Sequence, residues 1–352
     1  MKAAVWYGKK DVRVMDVPEP KLPGENFVKI KVEWCGICGS DLHEYLAGPI
    51  FIPTTTPHPL TGGTAPITLG HEFSGTIVEV GSDVKKFKVG DKVAPDACQV
   101  CHECNPCKLG KYNVCEKLAF TGLMTDGAFA EYVVVPDYTL YKMPDEMSFE
   151  AGALIEPLSV GIHAVRSGPL IEGESVVIFG AGTIGLCTLL AARAAGAGKI
   201  YVVEVAKARK EFAAKMGAHE VLDPTEIDIK ARILELTDGI GPDVVFECIG
   251  SDKVTPTAIE VARTGGKIIL SGIYERETSL QINTIVFTDK TVIGSLAYAG
   301  DFKTAIDLVS DGRIDISPLV TGRIGIDDII EKGFEELVNR KDENVKIIVK
   351  PY

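Results

Sequence analysis

Two sets of potential metal donors stand apart in this chain and differ in kind. Cys101, Cys104, Cys107 and Cys115 follow a C-x2-C-x2-C-x7-C spacing. That spacing delivers four soft thiolates to one small lobe and predicts a closed, tetrahedral zinc site with no vertex left for chemistry. Cys38, His71 and Glu72 instead mix sulfur, imidazole and carboxylate from separate segments. A mixed set that keeps a vertex open for water or substrate is the pattern of a catalytic metal. The expectation is therefore two zinc ions per chain with different tasks. The run Cys35-Gly36-Ile37-Cys38-Gly39-Ser40-Asp41-Leu42-His43 adds a hydroxyl, a carboxylate and a second imidazole beside the first ligand. Glu156, in Ile155-Glu156-Pro157-Leu158, sits at the entrance to the following domain, from which it can reach a cleft between domains. A lone Cys is usually core and a lone His usually a satisfied surface residue; the joint occurrence of all these groups is what points to chemistry.

A second constellation points to a cofactor. Gly180-Ala181-Gly182-Thr183-Ile184-Gly185 follows an apolar run, Ser175 to Phe179, and opens a helix near Thr183. Glu204 stands at the end of the next expected strand, at the distance the dinucleotide fingerprint requires. In that fingerprint the first glycine permits the tight turn, the second admits pyrophosphate to the helix N-terminus, and the third lets helix and strand pack closely. Glu204 can accept hydrogen bonds from both hydroxyls of the adenine ribose, whereas a 2′-phosphate there meets like-charge repulsion, so NAD is expected rather than NADP. Lys207 and Arg209 follow closely and offset that argument in part; both read most simply as a solvated helix face, and Arg209 is retained as a cofactor contact. Cys248-Ile249-Gly250 and Ser271-Gly272-Ile273 each end a strand on the ligand side, so their backbones are expected to line the nicotinamide pocket. The Cys248 side chain itself reads as core.

Positioning such groups takes two domains. At 352 residues the chain exceeds the size at which single cores stop growing, and 46% of it is hydrophobic. Up to about Ala151 it reads as short alternating or apolar runs broken by Pro and Gly: Val28 to Val32, Ser74 to Val80, Lys92 to Ala94, Glu131 to Val135. That is a mainly β texture. Beyond it, Val176 to Phe179, Ile200 to Val203, Val244 to Phe246 and Lys267 to Leu270 alternate with helical stretches, which predicts a doubly wound α/β parallel sheet. From about Leu296 the chain returns to mixed character, with a helix over Phe302 to Val309 and a final strand over Val345 to Val349. The Pro-, Thr- and Gly-rich loop Gly48 to Pro66 lies just before the metal histidine, where loops shape pocket mouths. A formal charge of −12 disfavours nucleic-acid and anionic-membrane partners and favours a small-molecule role. The glycines that interrupt the uncharged run Ser175 to Ala192 argue against a membrane span. Of nine cysteines, those clustered at x2 spacing read as metal thiolates in a reducing compartment. With no secretory pattern in Met1 to Gly8 and no readable tag before Tyr352, the expected location is the cytoplasm.

On the cysteine ladder, Gly70-His71-Glu72, Glu156-Pro157-Leu158-Ser159-Val160 and the dinucleotide loop, all in one order, the chain resembles the zinc-dependent medium-chain alcohol and polyol dehydrogenases over nearly its full length. The resemblance implies a GroES-like catalytic domain from residues 1–157 and 297–352, with a structural zinc lobe over 96–116. These would enclose a Rossmann NAD-binding domain over 158–296. Where simple alcohol dehydrogenases carry a second cysteine ligand this sequence has Glu156, as in the polyol branch that includes sorbitol and butanediol dehydrogenases. Gly48-Pro49-Ile50-Phe51-Ile52-Pro53, Pro57-His58-Pro59-Leu60-Thr61-Gly62 and Gly294-Ser295-Leu296-Ala297-Tyr298 resemble the butanediol side of that branch. The implied catalytic zinc is held by Cys38, His71 and either Glu156 or Glu72, the other carboxylate holding water or substrate. Ser40 would take the substrate proton and pass it through the cofactor ribose to His43 and solvent, and Asp41 would orient a zinc ligand. Cys98 extends the ladder, so a set ending at Cys107 is conceivable; the family's x7 return and the crowding of four x2-spaced ligands favour the set ending at Cys115. The implied activity is NAD-dependent interconversion of a vicinal diol and its hydroxyketone, (R,R)-2,3-butanediol and acetoin. Sorbitol, another polyol or L-threonine are alternatives, and a non-catalytic zinc- and dinucleotide-binding protein is the reading from another class. A homo-oligomer, dimer or tetramer, is implied as well.

Overall fold

The computed structural model describes residues 1–340 and 342–352. The chain divides into two compact units, one of Met1–Glu156, Phe302–Asp311 and Asp315–Tyr352, the other of Pro157–Asp301 with Gly312–Ile314.

The first unit is built on a seven-stranded sheet around Phe27–Gly36. In that strand Val28, Ile30 and Val32 alternate into the core at 0% exposure, the period-2 burial of a half-covered strand. It pairs antiparallel with Glu72–Val80, setting Gly36 opposite Glu72 and Cys35 opposite Phe73. It also pairs antiparallel with the final strand Lys346–Lys350, setting Gly36 opposite Ile348. Three strands thus converge on the point where the chain leaves Gly36 for Cys38. Fully buried Trp6, Phe73, Phe129 and Phe334 fill the adjoining core, each contributing roughly 1.5–3 kcal/mol by removal from water. The helix Gly39–Ala47 starts at this junction. Cys38 is its N-cap residue, and the Asp41 carboxylate accepts the Cys38 backbone N–H at 2.9 Å, closing the first turn. A short pair, Cys98–Gln99 with Ala119–Phe120, underlies the cysteine lobe.

The second unit is a six-stranded, all-parallel sheet. Its order is Glu220–Leu222, Ile200–Val203, Val176–Phe179, Val244–Glu247, Lys267–Leu270, Thr291–Gly294. The four central apolar runs are buried along most of their length, as strands covered on both faces must be. The order reverses direction at Val176–Phe179, which pairs with Ile200–Val203 on one side and Val244–Glu247 on the other. The crevice beyond the carboxyl ends of the strands at such a reversal is where doubly wound sheets bind ligands. The helix Thr183–Ala194 follows directly, packing Leu186 and Leu189 inward. Among the described residues no helix is long and apolar enough to cross a membrane.

Candidate active site

The cysteine lobe is assembled by tight turns rather than by long elements. The four Sγ atoms of Cys101, Cys104, Cys107 and Cys115 lie within 4.8 Å of one another. Cys115 to Cys101 is 3.5 Å and Cys104 to Cys115 3.8 Å, close to the edge of about 3.8 Å that a tetrahedron of 2.3 Å zinc–sulfur bonds has. Backbone N–H groups point at the sulfurs: Cys104 N to Cys101 Sγ at 3.4 Å, Cys101 N to Cys115 Sγ at 3.4 Å, and Lys117 N to Cys115 Sγ at 3.3 Å. N–H groups of Glu103 and Cys104 hold the Cys101 thiol down to about 6, whereas burial pushes Cys107 up to about 12. Donor type, number and spacing fit a closed zinc site. Cys98 is outside this group; it lies buried in the strand below.

The second donor set gathers at the junction of three strands described above. Ser40 Oγ lies 3.1 Å from His71 Nε2, and His71 Nδ1 faces Asp41 Oδ1 at 3.6 Å. That gap is too long for a hydrogen bond, and these two buried atoms are left without partners. An imidazole whose one nitrogen faces a carboxylate while the other faces the pocket is the arrangement of a metal-bound histidine with its orienting carboxylate. Burial pushes the Cys38 thiol well above its usual range, Glu72 and Glu156 add to the rise, and Lys346 opposes it. A thiolate in such a place needs a cation beside it, so the donors fit a metal. Among the described residues no second group of three donor atoms is drawn as tight as the cysteine lobe; Glu72 and Glu156 act electrostatically on Cys38, and Asp41 bridges the Cys38 backbone and the face of the His71 ring.

Lys346 is the residue that ligand-by-type reading misses. Its ammonium is 2.8 and 2.6 Å from the two Glu72 oxygens and 2.8 Å from the carbonyl of Ile37, one residue before Cys38. Lysine and glutamate are both essentially unexposed. Burial pulls the Lys346 ammonium down, but Glu72, Cys38 and Glu156 outweigh it and hold it above its usual range. Both Glu72 oxygens are thus engaged by a cation, while Glu156, 6% exposed, lies near enough to act electrostatically on both Cys38 and Lys346. The signal for Lys346 was a single charge inside the apolar run Val345 to Val349. His43 lies one turn further along the helix that carries Ser40, half-buried.

In the second unit the glycine loop spans the end of Val176–Phe179 and the start of the helix at Thr183. A Cβ on Gly185 would stand 1.9 Å from the Gly180 carbonyl oxygen, so helix and strand meet at a distance that only glycine permits. Glu204 serves this loop directly: one oxygen accepts Ala181 N–H at 2.8 Å, the other Val205 and Ala206 N–H at 2.7 and 2.9 Å. A carboxylate accepts about four bonds, which leaves capacity toward the adjoining cavity of about 370 Å³ lined by Glu204, Phe179, Val203, Pro224, Asp228 and Ile249. Arg209 departs from the expected solvated face. It is half-buried, with Nη1 3.9 Å from where a Cβ on Gly182 would lie, because its helix starts at Lys207 and turns this side chain back over the loop. Cys248 is half-buried, its sulfur 3.8 Å from the Thr188 hydroxyl. Gly250, Gly272 and Ile273 lie in two adjoining turns at the carboxyl ends of neighbouring strands, and Ser271 Oγ there is buried without a partner.

Residues 24–145 match the family described as alcohol dehydrogenase GroES-like domain, and residues 183–311 the family described as zinc-binding dehydrogenase. The chain is 46% identical to a (R,R)-butanediol dehydrogenase of Bacillus subtilis, covering 100% of both chains. It is 39% identical to one of Neisseria gonorrhoeae, covering 100% of this chain and 99% of that one. Among solved structures, the 2R,3R-butanediol dehydrogenase crystal structure from Bacillus subtilis superposes with a TM-score of 0.94 at 44% identity, covering 100% of this chain and 99% of that one.

Proposed function

The chain belongs to the zinc-binding alcohol dehydrogenases with a GroES-like domain, and from that membership we propose that it interconverts a vicinal diol and its hydroxyketone with NAD as hydride carrier. The best-supported pair is (R,R)-2,3-butanediol and acetoin, by likeness over the whole chain to dehydrogenases of that name. The observation that carries the reading is the buried cluster in which Asp41 anchors the Cys38 backbone and faces His71 Nδ1, the two facing atoms unpartnered among the described residues, with Glu156 near enough to act on Cys38.

Bound zinc supplies Lewis acidity at the alcohol oxygen and bound NAD supplies the hydride acceptor. Cys38, His71 and Glu156 hold the metal in this reading. Glu72 is withheld from it by Lys346, which already occupies both of its oxygens. Asp41 faces His71 Nδ1 with one carboxylate oxygen, placed to orient the ring once a metal draws it in, and its other oxygen anchors the Cys38 backbone. Ser40 accepts the proton of the diol hydroxyl as it gives up its own, and His43 on the same helix is the group that hands a proton on to solvent. Glu204 retains acceptor capacity for the adenine ribose and repels a 2′-phosphate, while Arg209 over the glycine loop answers the pyrophosphate charge. The cysteine lobe takes a second, structural zinc.

The chain acts as a homo-oligomer in this proposal, through the open edge strand Thr291–Gly294 of the parallel sheet. Its location is cytoplasmic.

The test is metal analysis together with NADH formation on the butanediol stereoisomers, sorbitol, xylitol and threonine, each with NAD and NADP. Two zinc ions per chain and highest turnover with the R,R diol and NAD are expected. A preference for sorbitol would move the activity to another polyol, and one zinc without turnover would leave only a binding protein.

A further inference from the structure

Glu247 closes the strand Val244–Glu247 and is fully buried, although nothing in the proposed reaction uses it. One of its oxygens accepts the N–H of Ile249 at 3.1 Å, and both accept that of Gly250 at 3.0 Å. The phenol of Tyr274 donates to the second oxygen at 3.0 Å and is met by the Thr255 hydroxyl at 2.6 Å. The backbone carbonyl of the same residue accepts from Ser271 and Gly272 N–H at 2.9 and 3.1 Å. One residue therefore ties together the turns that end two neighbouring strands. They touch at backbone distance: a Cβ on Gly272 would stand 2.0 Å from Gly250 N and 2.7 Å from Glu247 Oε2.

What these turns present is chemically specific. Ile249 and Ile273 are each 47% exposed, and Ile249 lies against Gly180 of the glycine loop. Ser271 Oγ is buried and unpartnered among the described residues, and so is Ser295 Oγ on the next strand end, one step beyond the paired residues Leu270 and Gly294. Apolar side chains left uncovered beside neutral hydroxyls left unanswered suit a flat ring bearing an uncharged amide. We propose that Glu247, with Tyr274, is a positioning residue for the nicotinamide half of the dinucleotide, holding the 248–250 and 271–274 turns in the one spacing that receives the ring. This inference rests on the dinucleotide reading and adds a residue to it. Glu247 touches no cofactor atom; it acts through the backbone of Gly250, Ser271 and Gly272.

The experiment is equilibrium binding of NADH, followed by its fluorescence, set beside displacement by AMP, which occupies only the adenine half. In Glu247→Gln the amide keeps one acceptor but turns an N–H2 toward the Gly250 N–H. NADH binding is expected to weaken roughly tenfold, as for loss of a charge-assisted buried bond, with AMP affinity within about twofold of the parent. KM for NAD should rise while KM for the diol stays. Tyr274→Phe, which keeps the fold's apolar bulk, should show the same split at smaller size. Equal weakening of NADH and AMP, or an unchanged NADH affinity in both variants, overturns the proposal. A parent protein that binds AMP but not NADH overturns the cofactor reading, and the proposal with it.

Discussion

At the scale of single residues the metal pocket is a problem of uncompensated charge. Cys38, Asp41, Glu72 and Glu156 are all potential anions in one buried place, and Lys346 is the cation the chain itself places among them. A carboxylate buried without a partner is far costlier than an exposed one, so Lys346 distinguishes the glutamates: Glu72 is neutralised by protein, and Glu156 is the one the proposed reading leaves for metal. Lys346→Met should destabilise the protein by about 3–5 kcal/mol in urea unfolding, because Glu72 is stranded. Adding Glu72→Leu should recover most of that loss without recovering turnover; a single variant as stable as the parent would show that the pair does not act this way. Ser40→Ala should lower kcat on the diol by roughly 10²-fold while zinc content stays unchanged, as expected for a proton acceptor rather than a ligand. A loss of zinc would make Ser40 structural instead. These roles were unequally legible in sequence. Cysteines, histidines and glycines advertise themselves by type and spacing, whereas Lys346, a lone charge in an apolar run, and Glu247 gain a partner and a role only when a sheet brings them beside groups distant in the chain.

At the scale of elements, ion pairs fasten the first unit's outer strands. Asp91, buried in the turn before Lys92–Pro95, is bonded by Lys88 Nζ at 2.7 Å and by Lys142 Nζ of the neighbouring strand Leu140–Lys142 at 2.9 Å. Burial pushes its carboxyl up, but the two lysines and the Lys88 N–H prevail and hold it at about 2. The folded carboxyl is thus the stronger acid, so its contribution is present above the unfolded value near 3.8 and disappears as pH falls toward 2. Both lysines are well exposed, and screening reduces the contribution to about 1 kcal/mol. Asp91→Asn should be less stable than the parent at pH 6 and converge with it near pH 2, as read by urea unfolding at each pH; a difference that does not shrink with acid would refute the assignment. The elements themselves were most legible where burial is two-sided. Val176–Phe179 and Lys267–Leu270 lead into glycine turns and Ile200–Val203 follows one, so short runs beside glycine mark all three. Lys2–Gly8 and Asp11–Asp16 are harder to read: they pair as a short antiparallel ribbon, and the alternation Asp11-Val12-Arg13-Val14 ends after four residues. Glu220–Leu222 is too short to be distinguished from a loop.

At the scale of the molecule, the parallel sheet ends in an edge strand left open among the described residues. Among the described residues Thr291–Gly294, the last strand of the six, pairs only with Lys267–Leu270, so its outer row of backbone groups faces no other strand there. Long-lived monomers blunt such an edge with charge, proline or a covering loop. Here the approach to it carries Ile282, Val286 and Phe287 at 58%, 62% and 80% exposure. Open backbone donors beside uncovered apolar side chains are complementary to a second copy of themselves, since two such edges laid antiparallel about a two-fold axis satisfy each other and close the assembly. The sequence carried the apolar side chains but not their exposure, which depends on where the sheet stops. Phe287→Glu places a charge on each side of that axis and should shift the protein to a smaller species by light scattering after size exclusion, with turnover per chain reduced by less than about tenfold because no proposed ligand or relay group is altered. An unchanged multimer would assign assembly to another surface, and a parent that is already a monomer would show that this edge is left unpaired.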